Sequence, residues 1–440
     1  MSEDPRAVRV RDAFAEHFGR PPEIVARAPG RVVLLGAHVD HQEARVLPAA
    51  IDKAVFLAAA RRPDRRLHLA ALDLGWDAQL DLGALPPPVG RRHPAASGFA
   101  DYPAGVAAAF LEEGFEIGGL DVAFGGDLPQ GAGVSSSAAV EVAFLLAFRA
   151  AFGLELPPAI MARLARRAEN DYLGVMSGPM DQLASLHGRA GHAILIDCRS
   201  MEAELLPLPP SLRILVFDSG VRRRLVASAF NDRRAEIRQA VEILRAELPG
   251  LELLRDLAPP DFERLRHLLP RTLERRVRHA VEEMARVAAG AAALRQGDPI
   301  ELGRLMNASQ ASSRDLYEVS LPELDLLCAA AAGAPGCYGA RLMGGGFGGV
   351  VAALTEAEAC DRVAAEVADA FERAFGQRPP FFESGIAAGA ELLVRPAGQG
   401  GDAGGTPAHP VLDSQGEDAG GTPALSASRL GAGKIPAFSG

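Results

Sequence analysis

Three polar side chains that could bind a ligand lie close together in the segment GAHVDHQ, residues 36–42: His38, Asp40 and His41. Two imidazoles and a carboxylate can hold a transition metal, and the same groups can hydrogen-bond the hydroxyls of a sugar. A polar turn without a ligand is the third interpretation. These residues alone leave all three open, and the neighbouring Ala37 offers no functional group.

A Gly- and Ser-rich segment, GDLPQGAGVSSSAAVEVAF, has the composition of an anion-binding turn. Its glycines let the backbone approach a ligand closely, and the free N–H groups of the following helix favour an anion. The serines can cap that helix or offer hydroxyls to phosphate or Mg²⁺. An ordinary turn with an N-cap is the alternative, and the lysine-containing motif of P-loop enzymes does not occur. The candidate anion-binding residues are Gly131, Ala132, Gly133, Val134, Ser135, Ser136 and Ser137.

Two acidic residues, Glu169 and Asp181, lie in the segment AENDYLGVMSGPMDQ. One carboxylate could hold Mg²⁺ while the other faces a reacting hydroxyl. A helix cap or a solvated charge is the more common role of a single acidic residue. The pair therefore gains meaning only if other segments supply the rest of a site.

A third segment, YGARLMGGGFGGVVAAL, contains Gly344, Gly346 and Gly349 in the pattern G-x-G-x-x-G. In a dinucleotide-binding fold a helix follows this pattern, whereas here the strand-like residues Val350 to Leu354 follow. The dinucleotide interpretation therefore fails, and a glycine turn that closes over some other ligand remains.

The elements that would position these residues follow from hydrophobic periodicity. Short runs rich in Val, Leu and Ala predict strands at RVVLL, KAVFLAAA and DVAFGG. Apolar residues at three- and four-residue spacing predict helices over 135–152 and 157–172, and a charged amphipathic stretch predicts a third over 271–295. These elements mix without a repeating βαβ unit, so the sequence predicts an α+β fold.

Composition narrows the class of protein. The chain has 440 residues, 48% of them hydrophobic, and a net charge of −10 without any dense Lys/Arg block. We therefore expect neither nucleic-acid nor membrane partners. The four cysteines have no C-x-x-C spacing, and the charged N-terminus is unlike a signal peptide. The sequence predicts reduced thiols and a cytoplasmic location.

The last part of the chain, residues 396–440, differs in composition from the rest. It is rich in Gly and Pro, and DAGGTPA occurs twice, at 402–408 and 418–424. Such a composition buries too little apolar surface to offset chain entropy, so we expect a disordered tail.

Taken together and in order, these segments resemble the GHMP small-molecule kinases, and within them the galactokinase branch. APGRVVLLGAHVDHQEARVLPAAID is similar to the galactokinase signature, PQGAGVSSSAA to the family's phosphate loop, and LMGGGFGG to its third motif. GPMDQ and FDSGVRRRLVASAFNDRR resemble segments between them. The resemblance implies a two-domain architecture with the active site in the cleft. It assigns residues 1–205 to the N-terminal domain and 206–395 to the C-terminal domain.

The resemblance also implies residue roles. Asp181 would face the anomeric hydroxyl as base or electrostatic partner, and Arg31 would pair with it and steady the transferring phosphoryl group. Ser137 and Glu169 would hold Mg²⁺, and the loop 131–137 would wrap the phosphates of ATP. Phosphoryl transfer depends mainly on such positioning and charge neutralisation. The implied substrate residues are Ala37, His38, Asp40, His41, Phe230, Gly345 and Gly346.

The residue at position 37 determines which substrate we expect. Galactokinases have Glu-His-x-Asp-Tyr where this chain has Ala-His-Val-Asp-His, and GAHVDHQ looks like the galacturonokinases. The family's glutamate accepts from the C6 hydroxyl of the sugar and would repel a C6 carboxylate, so Ala37 favours galacturonate as substrate. Galactokinase is the alternative, and a non-catalytic sugar sensor is a third possibility. We expect a monomer.

Several departures from the family pattern bear on this expectation. Glu43 and Ala44 replace a Gly-Gly pair and add a negative charge that Arg45 could neutralise. Phe230 stands where galactokinases have a sugar-contacting tyrosine. Candidates for binding a substrate carboxylate are His41, Arg45 and the arginine run 222–224, although such a run is more often a solvated surface.

Overall fold

The computed structural model describes residues 3–89, 98–129, 131, 133–221 and 226–396, except the side chains of residues 226–230. The described residues belong to one compact unit, Met1–Gln399. Four features of the sequence analysis lie outside this part of the chain: Ala132, the arginine run 222–224, the side chain of Phe230 and the tail from residue 397 onward. The domain boundary at residue 205 stays a prediction.

The described strands form two sheets. The order in the larger, eight-stranded sheet follows β12-β1-β2-β5-β3-β4, with β6 paired to β2 and β7 to β6, and the smaller sheet is β11-β8-β10-β9 in the following numbering. The strands are β1 (Ile24–Leu35), β2 (Arg45–Arg61), β3 (Arg66–Ala71), β4 (Trp76–Asp81), β5 (Leu120–Gly126), β6 (His192–Asp197), β7 (Ala203–Pro207), β8 (Leu212–Asp218), β9 (Cys337–Leu342), β10 (Val350–Glu356), β11 (Phe381–Ser384) and β12 (Glu391–Val394).

The centre of the larger sheet is an apolar hairpin. Every residue of β1 is buried, and β1 pairs antiparallel with β2 from Ile24 opposite Ala59 to Leu35 opposite Leu47. A central strand covered on both faces reads as a continuous hydrophobic run, which explains the composition of both strands. β3 pairs parallel with β5. The predicted strands RVVLL, KAVFLAAA and DVAFGG are confirmed within β1, β2 and β5.

Helices cover these sheets, and the mixture confirms the predicted α+β fold. No described helix is long and apolar enough to cross a membrane. All four cysteines are free, as expected. The helices are α1 (Pro5–Phe18), α2 (Asp101–Glu112), α3 (Ser136–Phe152), α4 (Pro158–Arg167), α5 (Met180–His187), α6 (Val226–Arg245), α7 (Pro259–Leu265), α8 (Arg271–Arg295), α9 (Pro299–Ser312), α10 (Pro322–Gly333) and α11 (Cys360–Phe375).

The predicted helix over 271–295 is confirmed as α8, and the one over 135–152 begins one residue later as α3. The helix predicted over 157–172 is wrong at its C-terminal end, because α4 stops at Arg167. The chain continues as a wide π turn, Ala168–Leu173, in which the N–H of Gly174 bonds the carbonyl of Glu169. Single π turns occur often at functional sites. This one carries a candidate metal ligand.

Candidate active site

Arg31 and Asp181 form the centre of the candidate site. Arg31 comes from β1 and Asp181 from the first turn of α5. Arg31 Nε donates to Asp181 Oδ1 at 2.7 Å and Nη2 donates to Oδ2 at 2.6 Å, a bidentate pair. The arginine side chain is 4% exposed, whereas the carboxylate is 25% exposed. The carboxylate therefore faces the solvent-accessible side of the pair, where a substrate can approach.

The Gly- and Ser-rich turn before α3 is hydrogen-bonded to the Arg31–Asp181 pair. Arg31 Nη1 donates to the carbonyl of Gly133 at 2.7 Å, and the backbone N–H of Arg31 donates to the carbonyl of Val134 at 3.1 Å. Ser135 has a left-handed backbone, with φ 64°, and its hydroxyl donates to Asp181 Oδ2. The expected N-cap hydrogen bond from the Ser135 side chain does not form. The twisted backbone turns this hydroxyl toward Asp181 instead, leaving the first N–H groups of α3 available to an anion.

Ser137 and Glu169 meet beside this turn. Ser137 Oγ donates to Glu169 Oε1 at 3.1 Å, and Ser177 Oγ also donates to Glu169. Gln182 Nε2 donates to Glu169 and to Glu141, each at 3.1 Å. Burial raises the pKa of Glu169 above its usual range, and the Asp181 charge acts in the same direction, although the hydroxyl and amide donors oppose this. No described basic residue forms an ion pair with Glu169, and such a buried hydroxyl–carboxylate pair fits a small, oxygen-preferring cation such as Mg²⁺.

A cavity of about 430 Å³ opens next to the same turn. Its walls include Gly131, Ser136 and Ser137 on one side and aromatic residues on the other. Sequence reasoning missed the aromatic wall, although one signal existed: the only tryptophan of the chain, Trp76, is 57% exposed on a short strand. An aromatic cavity that continues into an anion-binding turn suits a nucleotide base and its phosphates. The aromatic lining residues are Trp76, Phe99, Tyr102 and Phe124.

The polar segment 36–42 directly follows β1, the strand that carries Arg31. Asp40 Oδ2 accepts from the backbone N–H of Gly178 at 3.1 Å. A Cβ at Gly178 would lie 2.4 Å from the same oxygen, so only glycine permits this contact. His38 stacks on Tyr317, with ring centroids 4.6 Å apart. Within the described residues, His38, Asp40 and His41 do not form a cluster of metal-ligating atoms, so the metal interpretation is not supported.

The predicted neutralisation of Glu43 by Arg45 is wrong. Glu43 instead accepts from Arg199 Nε at 2.8 Å. Arg45 points away and contacts Asp197 at 3.4 Å, with its side chain 64% exposed. The substitution of Glu and Ala for a Gly-Gly pair is thus accommodated by surface ion pairs, and Arg45 is a poor candidate for binding a substrate carboxylate.

The backbone at Gly36 and Ala37 is held by two buried side chains of α8 that the sequence analysis missed. Glu283 Oε1 accepts from the N–H groups of both residues, at 2.8 and 3.0 Å. His279 Nε2 contacts the carbonyl of Ala37 at 3.2 Å. Because a carbonyl can only accept, this nitrogen carries the proton. The sequence did contain a signal for this contact. His279 and Glu283 are polar residues at buried positions of an amphipathic helix, and because they are four residues apart they lie on one face of it.

Arg341 and Arg286 complete the environment of Glu283. Arg286 Nε donates to Glu283 Oε2 at 2.7 Å, and Arg341 Nη1 lies 4.0 Å from Oε1. Burial acts to raise the pKa of Glu283, but the charges of Arg341 and Arg286 lower it to about 2. Glu283 is therefore a fully buried carboxylate ion at neutral pH.

His279 should make the fold sensitive to acid. Burial lowers its pKa from 6.5 to about 4. The neutral imidazole is thus the form that the fold favours, and its contribution to stability is complete above pH 6.5 and is lost as the pH falls toward 4. We expect His279→Gln to flatten this dependence by about 1.4 kcal/mol per pH unit in that window. Urea unfolding at several pH values measures it, with the exposed His267→Gln as the control. Parallel curves for wild type and His279→Gln would contradict the assignment.

The last glycine segment forms the turn between β9 and β10. Phe347 N–H donates to the carbonyl of Val319 at 2.7 Å, which fixes the turn two residues from Tyr317. Met343 Sδ accepts from the N–H of Val33 on β1 at 3.3 Å. The structure thus brings the turn that contains Gly345 and Gly346 toward the segment that follows β1, while their contact with a substrate stays a prediction.

The chain is similar to known protein families and to individual proteins. Three family models match: the galactokinase galactose-binding signature over residues 12–61, the GHMP kinases N-terminal domain over 101–189 and the GHMP kinases C-terminal domain over 291–373. The chain is 41% identical over 368 residues to a galactokinase of Roseiflexus, covering 84% of this chain and 92% of that protein. It is 39% identical over 391 residues to the human galactokinase, covering 87% and 95%.

Among solved structures, the chain is similar to Lactococcus lactis galactokinase complexed with galactose. The TM-score is 0.81 at 31% identity, covering 87% of this chain and 99% of that one. A mevalonate kinase structure shares the fold, with a TM-score of 0.57 at 16% identity.

Proposed function

Because the chain belongs to the galactokinase branch of the GHMP kinases, a family of sugar kinases, we propose that it transfers the γ-phosphoryl group of ATP to the anomeric hydroxyl of galactose. The observation that carries this proposal is the bidentate Arg31–Asp181 pair, fastened through Gly133 and Ser135 to the turn before α3. It joins a carboxylate that can receive a hydroxyl proton to a turn that can bind phosphates.

Asp181 retains an acceptor position for the sugar. A carboxylate offers about four lone-pair positions, and Asp181 uses three of them for Arg31 Nε, Arg31 Nη2 and Ser135 Oγ. Oδ1 accepts only one of these hydrogen bonds, so it is the oxygen that would accept from the anomeric hydroxyl. As that hydroxyl oxygen attacks the γ-phosphorus, its proton passes toward Asp181 and ADP leaves, while the Arg31 guanidinium stabilises the charge.

The nucleotide would enter from the aromatic cavity. The base would occupy the space beside Trp76 and Tyr102, and the phosphates would reach the turn around Gly133 and the N-terminus of α3. Ser137 and Glu169 would hold Mg²⁺, which neutralises phosphate charge during transfer. The positive charge of the cation would stabilise the buried Glu169 carboxylate.

Galacturonate is a second candidate substrate, favoured by one specific feature. The side chain at position 37 is a methyl group and carries no charge that would repel a C6 carboxylate, while the nearby Glu283 carboxylate is neutralised by Arg286. Arg234 is a further candidate partner for such a group. Its guanidinium donates to the carbonyl of Met176 and lies within electrostatic range of Asp40. Burial lowers the pKa of Arg234, so an anionic ligand beside it would relieve an unfavourable desolvation.

A substrate screen separates the two. ADP release is measured with galactose, galacturonate, glucuronate and arabinose at saturating ATP. We expect kcat/KM to be highest for galactose. A higher value for galacturonate would select the second candidate, and no turnover of any sugar would contradict the proposed reaction.

Ala37→Glu tests which group on the sugar position 37 faces. If galacturonate binds with C6 toward this position, two carboxylates about 4 Å apart at an effective dielectric of about 20 repel by roughly 4 kcal/mol. Rearrangement relieves part of this, so we expect the galactose-to-galacturonate ratio of kcat/KM to rise at least about tenfold. Ala37→Gln is the matched control, because it adds the same bulk without the charge. An equal change in both variants would show that position 37 does not sense charge at C6.

A further inference from the structure

Three potential metal ligands that take no part in the candidate active site lie close together in the structure. His17 lies in the last turn of α1, His68 on β3 and Asp77 on β4. One ligand atom of each lies within 4.8 Å of the others, and no other such group of three occurs among the described residues. His17 Nε2 and Asp77 Oδ1 are 3.2 Å apart, close to the roughly 3.3 Å that separates two ligands of a tetrahedral zinc ion.

Local structure explains why they meet. In the antiparallel β3–β4 pair, His68 lies opposite Gln79 and Ala70 lies opposite Asp77. Paired residues share a face of the sheet, so His68 and Asp77 are diagonal neighbours on one face. α1 packs its C-terminal end there, with the Phe18 ring 5.1 Å and the His17 ring 5.7 Å from that of His68.

The carboxylate of Asp121 lies near the imidazole of His68. Asp121 lies beside His68 in the parallel β3–β5 pairing, and its Oδ1 is 4.0 Å from His68 Nδ1. Asp121 is itself held by Arg20 and Arg62, at 2.7 and 2.5 Å. Metal-binding histidines commonly direct their second nitrogen to such a carboxylate, which fixes the ring orientation.

We propose that His17, His68 and Asp77 form a surface site for a divalent transition metal, Zn²⁺ in the first place, with water completing the coordination. Two imidazoles and a carboxylate suit zinc, nickel or copper, whereas Mg²⁺ prefers oxygen ligands, so this site differs in chemistry from the proposed magnesium position. The three side chains are 35%, 28% and 55% exposed, which leaves an entry path. The site stands independently of the proposed kinase reaction.

Occupancy would tie α1 to the β3–β4 hairpin. Asp77 follows Trp76, which lines the aromatic cavity and is the only tryptophan of the chain. A bound metal would therefore restrain Asp77, the residue next to Trp76 in the cavity wall. The same proximity provides an intrinsic reporter, because copper or nickel bound to Asp77 would quench the fluorescence of the adjacent indole.

The test uses the full chain, freed of metal with EDTA and dialysed. Zn²⁺ is titrated in competition with a chromophoric chelator, and Cu²⁺ quenching of Trp76 is recorded in parallel. We expect wild type to bind Zn²⁺, and His17→Ala, His68→Ala and Asp77→Asn each to raise the dissociation constant at least about tenfold and to weaken quenching. His192→Ala, which removes a half-buried histidine elsewhere, should change neither.

Folding is checked by melting each variant in EDTA, where Asp77→Asn preserves side-chain shape and should melt within a few degrees of wild type. Zinc affinity unchanged in all three variants would overturn the proposal. So would a wild-type dissociation constant weaker than about 100 µM, which would leave only a surface contact between His17 and Asp77.

Discussion

Asp181→Asn is expected to lower kcat by about 10² to 10⁴, because the amide keeps the shape of the side chain but loses the proton acceptor and the charge beside Arg31. Nucleotide binding should change little, since the aromatic cavity does not contain Asp181. ADP release measures the first effect, and the fluorescence of Trp76 on titration with ATP measures the second.

The control for this prediction is Asp171→Asn, which removes an exposed carboxylate from the neighbouring π turn. Its kcat should match wild type. Arg31 is buried and loses its charged partner in Asp181→Asn, so the melting temperature of this variant is compared at the same time. A folded Asp181→Asn protein that retains more than about a tenth of the wild-type kcat would rule out Asp181 as the proton acceptor.

Glu283→Ala is expected to have the largest effect on stability, a loss of about 3–5 kcal/mol in the free energy of unfolding. The substitution leaves Arg341, which is 2% exposed, without its buried counter-charge. It also removes the acceptor for the N–H groups of Gly36 and Ala37 and for the Ser309 hydroxyl. A buried donor without an acceptor destabilises the fold because it has lost its hydrogen bond to water and forms none in the protein. Denaturant unfolding at pH 7 measures the loss.

Glu282→Ala provides a matched control one residue away. Glu282 is 43% exposed, and its ion pairs with Arg278 and Arg286 are long, at 3.9 and 3.5 Å, so its removal should cost at most about 1 kcal/mol. Similar losses for the two variants would show that the buried network contributes no more than a surface charge. A stable Glu283→Ala protein with an altered KM for sugar would instead limit the role of Glu283 to positioning the segment at Ala37.

Many residues of the candidate site were proposed from the sequence because they lie in short segments. The turn 131–137, the carboxylates at 169 and 181 and the polar residues after β1 were all identified from composition and spacing. The partners of these residues were harder to predict. Ser135 has the residue type of a helix cap, yet its positive φ directs the hydroxyl to Asp181. Sequence gives the preferred φ of a residue type, whereas here the contacts of the turn with β1 override that preference.

By itself the sequence determined which segments form strands and helices and which functional groups they carry, because periodicity and composition act over a few residues. Only the tertiary structure decided which groups meet. Arg31 reaches Asp181 across 150 residues, and Glu283 reaches Ala37 across 246. Such pairs depend on which faces of the strand and the helices pack against one another, and on burial that changes the charge state of side chains like Glu283 and His279. Neither is encoded in any short window of the chain.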